Sequence, residues 1–218
     1  MFFLNDLEKI NDFAYKLEIK GNNSFIIYKT IKIMLKSVHY DDEINTIYFS
    51  AENVEPLKNY ILKHKNNRVK TNVCIKMIDD LTKQMLYLKG INYGFYGFDI
   101  NDILVIDGIF VFCSSQYLMQ IVNDKFIFNC PFKMPYFGNP ELIGLSILPS
   151  VVNPKCCYYS LGVLIVFCLL NNYLLVGNEI KSMIEIDDII SNFNNTKIYW
   201  FIKRSLEEHP EKRTLLLI

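Results

Sequence analysis

The segment from Tyr96 to Phe112 constrains the fold of this chain more than any other feature. Two short apolar runs, Ile103 to Ile106 and Ile109 to Phe112, flank the dipeptide Asp107-Gly108. Asp-Gly between two such runs is the strongest short-range signal for a β-hairpin, because a type I′ turn needs a positive φ at both central residues. A polar loop and a helical pattern precede the hairpin, so the sequence predicts helix, loop and hairpin in that order.

Two helices are predicted upstream of the hairpin. Asn72 to Lys89 has apolar residues at helical spacing with charges between them, and Gly90 is its expected C-terminal stop. Asn53 and Pro56 are residues typical of helix starts. They predict a further helix within Glu52 to His64.

The N-terminal region predicts a mixture of strands and helix. Ser24 to Leu35 alternates enough to predict a strand, although its later part also fits a helix. Glu43 to Ser50 predicts a second strand.

The most apolar run, Leu161 to Leu170, predicts a buried helix and no membrane span. A membrane-spanning helix needs about 20 predominantly apolar residues, whereas this run ends at Asn171-Asn172. Ile198 to Leu206 predicts an amphipathic helix near the end of the sequence.

Composition narrows the range of partners. The formal net charge is zero and 51% of the residues are hydrophobic, which predicts a folded core. Neutrality argues against nucleic-acid binding, which calls for a basic stripe or patch. The densest basic run, Lys63 to Lys70, is interpreted as the solvated end of a helix and its loop.

Six cysteines are spread along the chain, with one adjacent pair at Cys156-Cys157. They form no Cys-x-x-Cys pair and no Cys/His cluster with zinc spacing, so no metal site is expected. Polar residues from Asn5 to Lys9 interrupt the N-terminal apolar run, so no secretory signal is expected either. The cysteines are therefore expected to be reduced and buried, in an intracellular protein.

The order of helix, polar loop, Asp-Gly hairpin and irregular segment (residues 114–138) resembles the catalytic core of the protein-kinase family. In that family the catalytic loop reads His-Arg-Asp-Leu-x-x-x-Asn and is followed by a hairpin and Asp-Phe-Gly. Alignment on the hairpin places Gly97 at the catalytic aspartate and Asp102 at the metal-binding asparagine. Ser114 falls at the aspartate of Asp-Phe-Gly. The resemblance thus implies that the base and one metal ligand are lost.

Two partial motifs imply a structural ion pair. Asn139-Pro140-Glu141 stands where the family has Ala-Pro-Glu, and His209 to Arg213 resembles its Pro-x-x-Arg ending. These positions form a buried ion pair in the family, so the resemblance implies a pair between Glu141 and Arg213.

Other family features are missing or altered. Tyr158 to Val163 resembles the start of the family's central buried helix, but the aspartate expected there is replaced by Cys157. The only glycine before Gly90 is Gly21, so the chain lacks the glycine-rich loop that folds over nucleotide phosphates.

The resemblance implies an α+β protein kinase-like fold, with a reduced N-lobe in residues 1–50 and a mainly helical C-lobe in residues 51–218. It implies a catalytically inactive pseudokinase, with no cofactor and no expected ATP binding. Such a protein would act as a scaffold or decoy by binding a protein partner, for instance a kinase or a kinase substrate.

Two alternatives stay open. The first is a divergent active Ser/Thr protein kinase that uses Asp99 or Asp102 unconventionally. The second is a structural or membrane-peripheral assembly protein, anchored through Leu161 to Val176.

The abundance of Asn, Ile, Lys and Tyr is typical of AT-rich genomes, such as those of large DNA viruses or parasites. For a viral protein, the expected location is the cytoplasm of the host cell.

Overall fold

A computed structural model describes residues 7–21, 23–176 and 179–215. Residues 1–6, which belong to the predicted N-terminal region, lie outside the described residues. The first four strands form one antiparallel sheet, in which the second strand pairs with the first and the fourth, and the fourth also pairs with the third. These strands, with the helix between the second and third of them, are β1 Leu7–Lys9, β2 Ala14–Glu18, α1 Ser24–Lys32, β3 Val38–Asp41 and β4 Thr46–Ser50.

Helix α1 corrects the prediction of a strand over Ser24 to Leu35. Its buried residues recur three or four positions apart, which is the period of a helix and not of a strand: Ile27 follows Ser24 by three positions, and Thr30 and Ile31 follow Ile27 by three and four. The helix packs against β3 and against elements that follow later in the chain. This packing outweighs the β propensity of a run rich in Ile, Phe and Tyr.

The linker after β4 leads into strand β5, Val54–Pro56, and helix α2, Leu57–Leu62. The expected helix start at Asn53 is therefore wrong, because Val54–Pro56 pairs with a strand of the hairpin instead. Helix α3 spans Thr71–Gly90. It includes Gly90 as its last residue, and the left-handed residue after it is Asn92, with a φ of 58°.

The predicted hairpin is confirmed: β7, Ile103–Ile106, pairs antiparallel with β8, Ile109–Phe112. Together with β5 it forms a three-stranded sheet in the order β5-β7-β8. The segment after the hairpin was expected to be irregular, but it contains two short strands that pair with strands outside it. The two pairs are β6 Tyr93–Phe95 with β9 Leu118–Gln120, and β10 Phe126–Phe128 with β11 Ser150–Val152.

The last part of the described chain is mainly helical. Its elements are α4 Pro140–Ile143, α5 Cys156–Leu170, β12 Leu175–Val176, β13 Glu179–Ile180, α6 Met183–Ile190 and α7 Lys197–Ser205. The apolar run of the sequence lies in α5, whose residues are all buried except Leu170. Each large aliphatic or aromatic side chain buried there contributes about 1.5–3 kcal/mol to folding. Among the described residues, no helix is both long and apolar enough to cross a bilayer.

Candidate functional site

The turn of the β7–β8 hairpin is bonded to the linker that follows β4. Asp107 and Gly108 have φ angles of 49° and 78°, the left-handed values of a type I′ turn. The Asp107 carboxylate accepts hydrogen bonds from the amides of Asn53 at 2.7 Å and Glu52 at 3.0 Å. The Asp107 amide donates to the Asn53 carbonyl at 2.9 Å. Both amides of this linker and the Asn53 carbonyl thus have partners within the chain.

Strand β8 is bonded along its other edge to side chains of α3. The Gln84 side chain donates to the Phe110 carbonyl at 2.8 Å and accepts from the Phe112 amide at 2.9 Å. The Asp80 carboxylate accepts from the Phe110 amide at 3.1 Å. Neither residue was predicted from the sequence, although both lie on the same helix face as Met77 and Leu81. Their burial among apolar neighbours would have been the signal, since buried polar groups need partners.

Gly97 lies in a space too small for a side chain. It is buried, and a Cβ there would overlap the Cγ of Pro135 and lie 2.8 Å from its Cβ. The same Cβ would lie 3.3 Å from the Phe137 carbonyl oxygen. The Phe137 amide donates to the Phe98 carbonyl at 3.0 Å, which fixes the segment against this loop. Only glycine fits this position while Pro135 stays in place.

Asp102 and Ser114, the two residues that the kinase-like alignment assigns to metal positions, lie next to each other. Asp102 is 2% exposed, and its carboxylate accepts from the Asp99 amide at 2.6 Å and from the Ser114 hydroxyl. Burial raises the pKa of Asp102 to about 6, while these hydrogen bonds limit the rise. The arrangement offers a cation a single carboxylate. Within residues 7–21, 23–176 and 179–215, no group of three or more His, Cys, Asp or Glu side chains could hold a metal ion.

The Asp99 carboxylate is occupied by the segment that follows the hairpin. It accepts a hydrogen bond from the Tyr117 hydroxyl at 2.7 Å and another from the Tyr136 amide. The Lys133 ammonium lies 3.7 Å away. Burial and the bond to Asp99 raise the pKa of Tyr117, so this tyrosine stays a neutral donor. Asp99 therefore holds the segment in position.

Arg213 and Glu141 form a bidentate ion pair, with N–O distances of 2.7 and 3.0 Å. The Arg213 side chain is fully buried. It also donates to the carbonyls of Glu207 at 2.6 Å and Glu208 at 3.0 Å, and its guanidinium lies 5.0 Å from the ring centroid of Tyr159. A planar guanidinium with several donors suits such a site, because each donor finds an acceptor. The pair ties α4 to the stretch after α7.

Asn139 joins α4 to the loop that carries Gly97, a role not predicted from the sequence. Its side chain caps α4 by accepting from the Leu142 amide at 3.2 Å, and it donates to the Tyr96 carbonyl at 2.8 Å. It thereby holds the backbone next to Gly97.

Cys157, which stands where the family has an aspartate, does not bond to this backbone. Its thiol donates to the Pro154 carbonyl at 3.0 Å. Burial raises the pKa of Cys157 to about 12, so it stays a neutral thiol.

A cavity of about 580 Å³ opens beside Asp99. Aromatic and basic side chains border it, among them Tyr136, Tyr173, Lys58 and Lys133. The two tyrosine rings meet edge to face, with centroids 5.7 Å apart, and their side chains are hydrogen bonded. Tyr136 is 49% exposed and Tyr173 42% exposed. Large aromatic side chains are thus presented to solvent next to the loop that carries Gly97.

No family model matches the sequence, and no curated protein matches it. Solved structures do match. One of them, "Titin kinase and its flanking domains", covers 92% of this chain at a TM-score of 0.58 and 12% sequence identity. The chain spans 39% of the length of that protein chain. An identity this low speaks for the fold alone. Taken with the small antiparallel sheets and several helices described above, the likeness shows that this chain has a protein kinase-like fold.

Proposed function

We propose that this chain is a pseudokinase: a catalytically inactive protein with a kinase-like fold that acts by binding another protein. In this proposal residues 1–50 form a reduced N-lobe and residues 51–218 a mainly helical C-lobe. Kinase catalysis depends on a carboxylate that accepts the substrate proton, on metal ligands and on a bound nucleotide. We infer that the chain lacks the base, one of the metal ligands and the bound nucleotide.

The contact between Gly97 and Pro135 carries the proposal. Gly97 aligns with the catalytic aspartate, and a glycine has no group that could accept a proton. Pro135 closes the space next to it, since a Cβ at position 97 would lie 2.8 Å from the Pro135 Cβ. The loop and the segment after the hairpin therefore pack closely at position 97 and leave no room for a catalytic side chain. A recent loss of one side chain would leave a gap instead.

The linker offers a second argument, against nucleotide binding. In the kinase resemblance, Glu52 and Asn53 belong to the linker between the lobes, whose backbone would receive a nucleotide base. Here the amides of both residues donate to Asp107, and the Asn53 carbonyl accepts from it. A base would have to displace these bonds, each of which is worth about 0.5–1.5 kcal/mol at these exposed positions.

The metal positions offer a third argument. Asp102 and Ser114 stand where the family holds its cations, and the Ser114 hydroxyl donates to the Asp102 carboxylate. Burial favours the protonated form of Asp102, with a pKa of about 6. Mg²⁺ prefers charged oxygen ligands, and Ser114 supplies no charge, so the two positions offer a cation one carboxylate.

The cavity beside Asp99 is the surface that we propose for the protein partner. Exposed Tyr136 and Tyr173 offer large, rigid contact area, and aromatic residues are enriched among the side chains that dominate binding energy. Lys58 at its border favours a partner segment with an acidic residue, while Lys133 is already paired with Asp99. A kinase or a kinase substrate with such a segment would suit this surface.

A nucleotide-binding experiment tests the loss of phosphotransfer. Thermal denaturation is followed with and without ATP and Mg²⁺, next to an active protein kinase as a positive control. A ligand that binds only the native state raises its stability by RT ln(1 + [L]/Kd). We expect no rise in Tm for this chain. A Mg²⁺-dependent rise that disappears in Asp102→Asn, together with autophosphorylation, would instead identify a divergent active kinase.

A capture experiment tests the partner surface. Immobilised wild-type protein, the double variant Tyr136→Ala/Tyr173→Ala and the control Trp200→Ala are compared for proteins retained from a lysate of the source cell. Trp200 is a suitable control because it is 49% exposed and lies on α7. A partner retained by the control and lost from the double variant supports the proposal. A partner retained equally by all three proteins places the interaction elsewhere.

The proposal includes an intracellular location. All six cysteines are free, and five of them are buried, as suits a reducing compartment.

A further inference from the structure

A separate cavity of about 390 Å³ lies between the C-terminal end of α3, strand β6 and the N-terminal end of α5. It shares no lining residue with the cavity beside Asp99. Sites for small molecules in proteins range from about 300 to 1,000 Å³. The cavity is therefore large enough for a small ligand and too small for a folded partner.

The inner wall of this cavity is apolar. Met85, Phe95 and Tyr158 line it and are buried, and Ile121 is half-buried. Cys157 also lines it, but its pKa is raised to about 12 by burial and its thiol bonds to a backbone carbonyl. The wall thus offers a ligand no charged group and favours an aromatic or aliphatic body.

Charged side chains lie among the other lining residues, and lysines outnumber carboxylates. The lysines are Lys89, Lys125 and Lys155, and the carboxylates are Asp124 and Glu211. The Lys155 ammonium is already engaged, because it donates to the carbonyls of Glu211 at 2.9 Å and Arg213 at 3.0 Å. Within the described parts of the chain, neither Lys89 nor Lys125 forms an ion pair. Lys125 attracts Glu211 electrostatically but forms no direct ion pair with it, so neither ammonium group is held by contact with a carboxylate of the described residues.

We propose that this cavity binds a small amphipathic anion. Its aromatic or short aliphatic body would lie against Met85, Phe95 and Tyr158. Its carboxylate, sulfonate or phosphate would lie near the ammonium groups of Lys89 and Lys125. The proposal goes beyond the pseudokinase role and does not depend on it, since the two cavities share no residue.

Methyl NMR provides the direct test, because Met85 lines this cavity and Met134 lines the other one. Protein labelled with ¹³C at the methionine methyl groups is titrated with naphthalene sulfonate, and each signal is assigned by a Met→Leu variant. We expect a saturable shift of the Met85 signal with no shift at Met134. An absent or unsaturable Met85 shift, or equal shifts at both methionines, overturns the proposal.

Charge-reversal variants test the anionic part. Lys89→Glu/Lys125→Glu is expected to bind naphthalene sulfonate about tenfold more weakly, because two attractions become repulsions. The matched control, Lys58→Glu/Lys133→Glu, reverses two lysines at the other cavity and should keep wild-type affinity. The uncharged analogue naphthalene methanol should also bind about tenfold more weakly to the wild type. Equal affinity for all three proteins, or for both ligands, would show that charge plays no part and would overturn the proposal.

Discussion

Pro135 occupies the space that a side chain at Gly97 would need. A Cβ there would overlap the Pro135 Cγ and lie 3.3 Å from the Phe137 carbonyl oxygen. The neighbouring hydrogen bond from the Phe137 amide to the Phe98 carbonyl, at 3.0 Å, prevents the segment from moving away easily. The loop and the segment are therefore fitted to each other around a glycine.

Gly97→Ala is expected to lower the free energy of unfolding by about 1–3 kcal/mol, the usual cost of overpacking. Urea denaturation measures this change. Adding Pro135→Ala should recover part of the loss, because removing the ring atoms reopens the space. Gly90→Ala is the control: a Cβ there has nothing within 4 Å, so it should stabilise α3 by about 0.5–1 kcal/mol. Wild-type stability of Gly97→Ala would contradict the close packing.

Asp107→Asn should weaken the bond between the hairpin and the linker. Asparagine keeps the left-handed turn conformation but replaces a charged acceptor, so we expect a loss of about 1 kcal/mol in the free energy of unfolding. The control is Asp124→Asn, since Asp124 also has a positive φ, at 56°, and is exposed. An equal effect of the two substitutions in urea denaturation would mean that the linker bonds contribute nothing.

Arg213→Lys should destabilise the protein strongly although it keeps the charge. Lysine cannot reproduce the bidentate pair with Glu141 or the bonds to the Glu207 and Glu208 carbonyls. Breaking a buried pair costs about 3–5 kcal/mol, so a loss approaching this range is expected in chemical denaturation. Arg204→Lys, at an exposed position, should change stability by less than about 0.5 kcal/mol. A similarly small effect at position 213 would show that the pair is dispensable.

Asp102 should make stability depend on pH between about 4 and 6. Folding raises its pKa from 3.8 to about 6, so in this window the native state binds more protons than the unfolded state. The contribution of Asp102 to the free energy of unfolding is fully present below pH 3.8 and is lost as pH rises through about 6. At 1.36 kcal/mol per pKa unit, the loss is about 3 kcal/mol.

Asp102→Asn should remove this dependence. The difference in unfolding free energy between variant and wild type should grow in the variant's favour, by up to about 3 kcal/mol, as pH rises from 4 to 6.5. Urea denaturation at a series of pH values measures it. Asp12→Asn, at a side chain that is 91% exposed, should give a difference that stays flat. A flat difference for Asp102→Asn would contradict the raised pKa.

Local sequence patterns predicted those elements whose signals are local. Asp107-Gly108 between apolar runs predicted the hairpin, and ten successive apolar or small residues from Leu161 predicted a buried helix. The strand predicted over Ser24 to Leu35 was wrong. Its β-branched and aromatic residues fit a strand, but the burial of Ile27 and Ile31 on one face stabilises a helix. At Asn53, the helix-start pattern was outweighed by the pairing of Val54–Pro56 with β7.

The candidate site was less predictable, because its contacts join residues that are distant in the sequence. No local pattern reports that Pro135 lies against Gly97, or that Asn139 reaches the Tyr96 carbonyl 43 residues away. The partners Glu141 and Arg213 could be named only from the order of two family-like motifs. Neither residue predicts the other from spacing or charge alone.

The bonds from Asp107 to residues 52–53 also bear on motion. Active kinases open and close around the linker between their lobes. In this chain the linker is hydrogen bonded to the hairpin turn, and the hairpin is hydrogen bonded to the Gln84 side chain of α3. We expect the linker, the hairpin and α3 to keep one relative orientation, and in the proposed binding role a partner would meet a surface that needs little rearrangement. Association would then require little ordering, and little conformational entropy would be lost on contact.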